Sequence, residues 1–344
     1  MPDFGFTDQN LQVSDFSIDT ATARITTRFP KRAPCSQEQS KMKQAAQSGN
    51  IAIFASIFED GVIDPNAVLD NDGWTALHYA AIAGQLEIFK LWASKGADLM
   101  PKVKSLDEFH GRTPLHYAAE AGQLEIVKFL TFIVADKNPQ DDNGFTPLHI
   151  AAKNGQLAIV KLLANYLSNK NPQTGERWHK MTPLHSAAFG GHPRVFEFLL
   201  QFNKENTNPA LSDGRTCLHL AAEGGHVNII KYYQQNSKYE NINLGQLSNN
   251  AYSGRTPLHY AVQSGHLDVV KYMTQFLVDK NPEDSNGMTT LHLAAGYGDL
   301  EIVKHLAGLV PNVNIKTKLN KTPLDYAKEN EHYDVVEYLQ DLYQ

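Results

Sequence analysis

The sequence is poor in cysteine and lacks long apolar runs. Of its 344 residues only Cys35 and Cys217 are cysteines, and they lack the paired spacing of a zinc site or a redox dithiol. This favours a reducing compartment and argues against a disulfide framework. No stretch approaches the ~20 apolar residues of a membrane helix, and the start lacks the basic and apolar run of a secretion signal. We therefore expect a cytoplasmic protein, with the nucleus as an alternative, and no membrane insertion.

A large excess of either charge is also missing. Lys and Arg together number 31 against 37 for Asp and Glu, which gives a formal net charge of −6. This mild acidity argues against a surface whose affinity comes mainly from neutralising phosphates, so we expect no nucleic-acid partner.

What the sequence does contain is a repeat. The tetrapeptide Thr-x-Leu-His recurs at intervals of 33 to 40 residues, and a glycine lies nine residues after each of its threonines. An eighth copy, which begins at Thr322, has Asp325 in place of the histidine. A more divergent unit fits the same frame from Ser40 to Gly49, so we count nine units. The seven full copies begin at Thr75, Thr113, Thr146, Thr182, Thr216, Thr256 and Thr289.

Each landmark predicts part of a helix. A threonine hydroxyl can cap the free N–H groups of a helix start, which contributes ~1 kcal/mol relative to alanine. Proline follows five of the eight threonines, as in Thr146-Pro147, and its fixed φ suits the first helical position. The glycine permits the left-handed backbone that ends a helix.

A second amphipathic segment follows each glycine, as in Leu124–Leu130, with apolar residues at helical spacing. A pair of such short helices cannot bury its own apolar side, so successive pairs must stack into a continuous core. The sequence therefore predicts a solenoid.

The residues from Gly144 to Leu157, which read GFTPLHIAAKNGQL, resemble the ankyrin repeat, and the likeness extends over residues 40–344. It implies an all-α solenoid of about nine helix-turn-helix units joined by β-hairpin loops. We expect residues 40–74 and 322–344 to be polar caps that complete the solenoid. Lys180 and Asn320 replace the usual turn glycine, and insertions are expected before Thr113, Thr182 and Thr256. Several second helices lack their terminal glycine and have Val134, Leu167, Leu277 or Val310 there, so those helices run longer or end by another device.

Residues 1–39 lie outside the repeat. Their mixture of Ser, Thr, Asp, scattered Phe and a small basic cluster predicts a flexible N-terminal tail. The tail is either a solvated terminus without a specific role or a docking or phosphorylation segment.

Fourteen histidines raise the question of metal or catalytic chemistry. Eleven of them are explained by the repeat, and copies one repeat apart are too far from each other to share an ion at ~2.1 Å bond lengths. No His-Glu-x-x-His, Gly-x-Ser-x-Gly, Walker or Gly-x-Gly-x-x-Gly motif is present. We therefore expect no enzyme activity, no catalytic residues, no metal site, no cofactor and no small-molecule substrate.

The residue before each capping threonine is a candidate for partner binding, because the helical core does not require a large side chain there. The resemblance places these positions on hairpins that line a concave side. All are large apolar or basic residues, and aromatic and arginine side chains are enriched in binding hot spots. Alternatively, they only cover neighbouring hairpins. This hairpin set consists of Trp74, Arg112, Phe145, Met181, Arg215, Arg255, Met288 and Lys321.

The residue pair before each glycine varies between repeats, and on the ankyrin pattern it lines the same groove. Its large apolar members form a first-helix set of Ile82, Phe189 and Tyr297, which we expect to be anchors.

These sets predict a non-catalytic scaffold or adaptor that binds a protein or peptide partner with interleaved acidic and apolar groups. A different hypothesis makes the chain a modification substrate or a regulated inhibitor. The tail supplies phosphorylatable residues, and the resemblance places Asn138, Asn171, Asn281 and Asn314 where ankyrin repeats can be hydroxylated.

Overall fold

A computed structural model of the protein describes residues 33–58, 63–104, 110–203, 207–235, 244–248 and 254–342. The chain divides into two compact units, Met1–Asp142 and Asn143–Gln344, here called unit 1 and unit 2. Each is described by itself.

Within the described residues, unit 1 contains six α-helices and unit 2 contains twelve. Those of unit 1 are α1 (Ser36–Ser48), α2 (Ile51–Phe58), α3 (Ala76–Ala83), α4 (Leu86–Ser94), α5 (Pro114–Ala121) and α6 (Leu124–Ile133). Those of unit 2 are α7 (Pro147–Lys153), α8 (Leu157–Tyr166), α9 (Pro183–Gly190), α10 (Pro193–Leu200), α11 (Cys217–Glu223), α12 (Val227–Gln235), α13 (Pro257–Gln263), α14 (Leu267–Phe276), α15 (Thr290–Tyr297), α16 (Leu300–Ala307), α17 (Pro323–Glu329) and α18 (Tyr333–Leu342).

The predicted helix starts are confirmed. Each of the seven threonines of the full motif precedes a helix, and its backbone N–H donates to Nδ1 of the histidine three residues later at 3.0–3.3 Å. The threonine side chain in turn accepts from the backbone of the third helical residue, so two donors at the helix start are satisfied reciprocally. In the last copy Asp325 takes the role of the histidine, and its carboxylate accepts from the N–H and the hydroxyl of Thr322.

The glycine after each first helix has the predicted left-handed backbone, with φ between 72° and 80° at the seven positions from Gly84 to Gly298. At Gly191 space is limiting as well, because a Cβ atom would lie 2.2 Å from Nδ1 of His226. The backbone therefore turns directly from the first helix into the second.

Successive helix pairs stack within each unit. Odd-numbered helices pack on the next odd-numbered helix, as α1 on α3 and α7 on α9, while even-numbered helices pack on the next even-numbered one, as α8 on α10. Small residues such as Ala151 and Ala152 are fully buried between first helices. This is solenoid packing, in which each pair buries the apolar side of its neighbour. The count of nine repeats stays a prediction.

Second helices without a terminal glycine end by another device. The backbone becomes extended at Val134 after α6 and at Leu277 after α14. Lys280 then reaches back and donates from Nζ to the carbonyl of Thr274 at 2.5 Å, and Lys137 makes the equivalent bond to Thr131. In both cases a lysine ammonium donates to a carbonyl of the last turn that has no partner within the helix, and its charge interacts favourably with the helix dipole.

The connecting loops are tight turns without assigned strands in the part of the chain described. Isolated antiparallel bridges join Ala210 with Thr216 and Glu283 with Thr289. Lys180 and Asn320, which replace the turn glycine, have positive φ angles of 59° and 62°. The insertion before Thr182 contains a 3₁₀ turn, Glu176–Trp178. Much of the segments expected to hold the other two insertions, 105–109, 236–243 and 249–253, lies outside the described residues.

Helix α1 begins inside the segment 1–39 that was predicted to be a flexible tail. Residues 36–39 belong to α1, and the N–H of Cys35 donates to Glu38 Oε2 at 2.8 Å in a reciprocal cap. The boundary at residue 40 was predicted by projecting the nine-residue offset of the repeat back from Gly49 to Ser40, and α1 begins four residues before that point. Residues 1–32 lie outside the described residues.

Candidate partner-binding surface

The backbone of the hairpin set is held from two sides. In turns such as that of Met181, the carbonyl of the hairpin residue accepts from an N–H earlier in the loop, here that of Thr174 at 2.9 Å. At several hairpin residues the same carbonyl also accepts from Nε2 of a motif histidine in the preceding repeat. His149 reaches Met181 at 3.0 Å and His219 reaches Arg255 at 3.1 Å, whereas His185 donates to the carbonyl of Pro209. Binding residues at these positions therefore project from a fixed main chain.

These histidines are neutral at neutral pH. Burial lowers the pKa of His78, His149, His185, His219 and His259 to about 4. Since Nδ1 accepts from the threonine N–H, the proton lies on Nε2, where it is donated to the next repeat. The motif histidines thus have a structural role, as predicted.

In unit 1, Trp74 belongs to an aromatic cluster. Its ring centroid lies 4.5 Å from that of Tyr117 and 5.1 Å from that of Tyr79. Trp74 is half-buried, while Ile82 is exposed with 42% of its surface accessible. Ile82 therefore offers a larger fraction of its side chain to a partner than Trp74 does.

Arg112, the basic member of the hairpin set in unit 1, is buried. Its guanidinium lies 3.4 Å from carboxylate oxygens of both Glu120 and Asp141. Most of its positive charge is therefore matched within the protein.

In unit 2, three of the predicted site residues come together. Met181 is buried in a cluster with Leu211 and Leu220, and Phe145 and Phe189 pack against it. Trp178 from the inserted 3₁₀ turn adds an edge-to-face contact with Phe145 at 5.2 Å between ring centroids. Because Met181 is almost fully covered, it supports the surface more than it contacts a partner.

The remaining basic members of the hairpin set, all in unit 2, bond to their own repeat. Arg215 donates from Nε to Asp213 at 2.7 Å and from Nη1 to Glu223 at 2.9 Å. Burial lowers the pKa of Arg215, but the hydrogen bond and charge of Asp213, together with Glu223, outweigh it and hold the pKa above its ordinary value. Arg255 donates to Gln263 at 2.7 Å, and Lys321 to Glu329 at 2.7 Å.

A spacing of eight residues links the two predicted sets. Each basic hairpin residue bonds to the acid or amide eight positions later, on the first helix of the same repeat. Where the hairpin residue is Trp74 or Met181, the eighth residue is Ile82 or Phe189, which is also apolar. Sequence reasoning missed these pairs, although the spacing was readable. The pairing weakens the predicted preference for acidic partners, because the basic groups already have acceptors.

At the later repeats the surface is more open. Tyr297 on α15 has 54% of its surface exposed, and Met288 is half-buried. Gly296 stands eight positions after Met288, so the position that pairs with the hairpin residue in other repeats has no side chain here. Tyr297 and Ile82 are therefore the members of the first-helix set best placed for contact.

Comparison with known proteins supports the resemblance seen in the sequence. The sequence profile of a family described as ankyrin repeats (3 copies) matches residues 42–138, 131–209, 201–275 and 273–343. Together these matches cover far more than half of the chain. Among the described residues, no helix is both long and apolar enough to cross a membrane.

Two curated proteins show local similarity. Palmitoyltransferase AKR1 of Naumovozyma castellii is 29% identical over 105 residues, which cover 29% of this chain and 14% of that protein. The 2-5A-dependent ribonuclease of Mus musculus is 39% identical over 62 residues, or 18% of this chain and 8% of that protein. The matched regions are thus small parts of both relatives.

Proposed function

The chain belongs to the ankyrin repeat family, and we propose that it is a non-catalytic scaffold or adaptor that binds a protein or peptide partner. Ankyrin repeats generally mediate protein–protein interaction. The partner would contact the hairpin set and the first-helix set along the groove that the resemblance implies.

The observation that carries this proposal is the matched chemistry of positions eight residues apart. In six of the eight repeats the two positions match in chemistry, as in the Arg215–Glu223 pair and in Met181 with Phe189. The exceptions are Phe145, which is followed by Lys153, and Met288, which is followed by Gly296. A row of rigid, chemically distinct positions is suited to binding an extended peptide or the surface of a folded protein. We expect apolar groups of the partner opposite Ile82, Phe189 and Tyr297, with polar groups opposite the bonded pairs.

The test uses the full chain as bait in affinity capture with quantitative mass spectrometry. Replacing Tyr297 and Ile82 together by alanine should weaken retention of the specific partners about tenfold, the effect of losing ~1.4 kcal/mol. Both side chains are exposed, so the thermal unfolding midpoint should hardly change.

Tyr333→Ala is the matched control, because Tyr333 is an exposed tyrosine outside both sets. If the double variant captured the same proteins as the control in equal amounts, the site assignment would be wrong.

Modification of the hairpin asparagines remains the second candidate function, and two of these four asparagines differ in burial. Asn314 is exposed, whereas Asn281 is buried and its Oδ1 accepts from Thr290 and from the N–H of Leu291. A modifying enzyme would reach Asn314 without unfolding the repeat. Peptide mass spectrometry of protein from its native cells tests this, and unmodified Asn314 would leave the scaffold proposal alone. Phosphorylation of the tail concerns residues that lie mostly outside the described part.

The absence of enzyme activity, the cytoplasmic or nuclear compartment and the exclusion of nucleic-acid and small-molecule ligands stay predictions from the sequence.

A further inference from the structure

Unit 2 carries a second surface of repeated chemistry on its even-numbered helices, away from both predicted sets. It contains two copies of one arrangement, in which a lysine of one helix lies over an aromatic ring of the next even-numbered helix. We call this surface the lysine-aromatic stripe, and it consists of Lys161, Phe198, Phe202, Lys231, Tyr272 and Phe276.

The first copy lies between α8 and α10. Lys161 Nζ is 5.8 Å from the ring centroid of Phe198, and Phe198 makes an edge-to-face contact with Phe202 at 5.4 Å. Lys170 places its own Nζ 5.5 Å from the ring of Phe202. Phe202 nevertheless keeps 38% of its surface exposed.

The second copy lies between α12 and α14. Lys231 Nζ is 5.3 Å from the ring centroid of Tyr272, and the ring of Phe276 is 5.0 Å from that of Tyr272. Phe276 is 52% exposed. Tyr272 and Phe276 are four positions apart on α14 and therefore occupy the same helix face. Phe198 and Phe202 have the same spacing, although α10 ends at Leu200 and Phe202 lies in the turn that follows it.

The lysines of the stripe differ from their counterparts in other repeats. Lys90, Lys128 and Lys304 occupy the same repeat position, and each forms an ion pair with a glutamate three residues earlier at 2.7–3.0 Å. At Lys161 and Lys231 that glutamate is replaced by Ala158 and Asn228. Lys271 on α14 follows Asp268 and forms no ion pair with it, but it covers no aromatic ring, whereas Lys161 and Lys231, which have no acid at that position, cap the aromatic pairs. Their charge is therefore available to an anionic group.

From this coincidence we propose that the lysine-aromatic stripe docks an acidic amphipathic helix of a partner protein. Carboxylates of that helix would pair with Lys161 and Lys231, while its apolar face would cover Phe202 and Phe276. Neighbouring packed helices lie ~8–10 Å apart, so the two copies, on α10 and α14, are separated by roughly 16–20 Å. An α-helix rises 1.5 Å per residue, and its contacts with the two copies would therefore be about 11 residues, or three turns, apart.

Other anionic ligands fit less well. Stacking of nucleic-acid bases would require the lysines to leave the rings that they cover. The position equivalent to Lys161 on α10 is the exposed Glu197, so an acid interrupts the basic positions Lys161, Lys231 and Lys271. An anionic membrane favours a uniformly basic surface, whereas a helix can place its own lysine or arginine opposite Glu197.

The test is fluorescence anisotropy with the full chain and a labelled synthetic helix of about 18 residues. The peptide has leucine at positions i, i+4, i+11 and i+15, with glutamates flanking them. We expect Lys161→Glu combined with Lys231→Glu to weaken binding at least about tenfold, and Phe202→Ser combined with Phe276→Ser to do the same. The matched control, Lys128→Glu combined with Lys304→Glu, makes the same change of charge at paired lysines and should retain the wild-type affinity.

A second variant keeps both lysines. Ala158→Glu with Asn228→Glu should draw them into the ion pairs seen elsewhere and reduce peptide binding while preserving the fold, as circular dichroism would show. The proposal would be overturned if the wild-type chain did not bind the peptide, or if the Lys161→Glu, Lys231→Glu variant and the Lys128→Glu, Lys304→Glu control lost equal affinity. Tighter binding of the wild type to phosphatidylserine vesicles or to a single-stranded oligonucleotide than to the peptide would also overturn it. Since Tyr297→Ala leaves the stripe intact, failure here is distinguishable from failure of the proposed function.

Discussion

Each buried histidine of the Thr-x-Leu-His motif makes hydrogen bonds that require its neutral form. In His149, Nδ1 accepts from Thr146 at 3.2 Å and Nε2 donates to Met181 at 3.0 Å. A second proton on Nδ1 would face the N–H that it now accepts and would place a charge in a buried site. Protonation therefore breaks the start of one helix and strains its contact with the next repeat.

Stability should accordingly fall in mild acid. The pKa of His149 is about 4 in the folded chain against an ordinary value of 6.5, so the unfolded chain binds more protons between these values. The stabilising contribution is complete above pH 6.5 and is lost as the pH falls toward 4. Between pH 4 and pH 6.5, each such histidine adds about 1.4 kcal/mol per pH unit to the slope of the free energy of unfolding against pH.

Urea unfolding at pH 6 and pH 5 measures that slope. His149→Asn should make it shallower by about the contribution of one histidine. A slope that is the same in the wild type and in the variant would contradict this explanation.

Two helical glycines test close packing at single residues. A Cβ atom at Gly190 would lie 2.0 Å from the carbonyl oxygen of Lys153, which belongs to the neighbouring first helix. Gly190→Ala should therefore destabilise the protein by roughly 1–3 kcal/mol. At Gly296 the nearest atoms would be 3.7 Å away, so Gly296→Ala should stabilise it by about 0.5–1 kcal/mol through helix propensity. Thermal unfolding of both variants checks the opposite signs, and destabilisation by both would contradict the packing argument.

Among the helices, the start and the end of the first helix of each repeat were predictable because they depend on local chemistry. Threonine, proline and glycine act within one turn, and their positions in the sequence coincide with the observed boundaries. The ends of α6 and α14 were not predictable in the same way. There the carbonyl acceptor is six residues before the lysine, in Thr131–Lys137 and Thr274–Lys280, and no single residue type marks the end.

The contacts of the hairpin set were not predictable from the sequence. Arg215 was predicted to bind acidic groups of a partner, although its bonds to Asp213 and Glu223 depend on how the turn folds over the first helix. Met181 was predicted to bind the partner as well, although the neighbouring repeat covers it through Leu211 and Leu220. Burial of this kind is a property of stacked repeats, so one repeat read alone does not reveal it.

Asn281 shows how a loop residue supports an element. Its Oδ1 accepts from Thr290 Oγ1 and from the N–H of Leu291, both at 2.9 Å, at the start of α15. Asn281→Ala would leave these buried donors without an acceptor and should cost about 1–3 kcal/mol. Asn314 occupies the equivalent position in the last repeat but is exposed, so Asn314→Ala should change stability by less than about 0.5 kcal/mol. Chemical denaturation of the two variants measures the difference, and equal costs would show that the Asn281 bonds contribute little.

For the molecule as a whole, stability comes from contacts between neighbouring helix pairs. In unit 2, α13 packs on α11 and on α15, and the even-numbered helices pack in the same order. Removing one complete repeat should therefore bring its two neighbouring helix pairs together through surfaces that already resemble the ones they lose.

Deletion of residues 256–288, one 33-residue period that carries α13 and α14, tests this. The shortened chain should keep its helical content per residue in circular dichroism and should unfold cooperatively. Deletion of residues 256–266 is the control, since it removes α13 alone and leaves α14 without its partner. If the two deletions lost equal amounts of helix, stacking of interchangeable pairs would not describe unit 2.

The bonded pairs eight residues apart also constrain how such a surface can diversify. Exchanging Arg215 alone for an apolar residue would strand the carboxylates of Asp213 and Glu223, whereas exchanging Arg215 and Glu223 together would relieve most of that cost. On the proposed binding surface, a new specificity would therefore be acquired most readily by changing both residues of such a pair together.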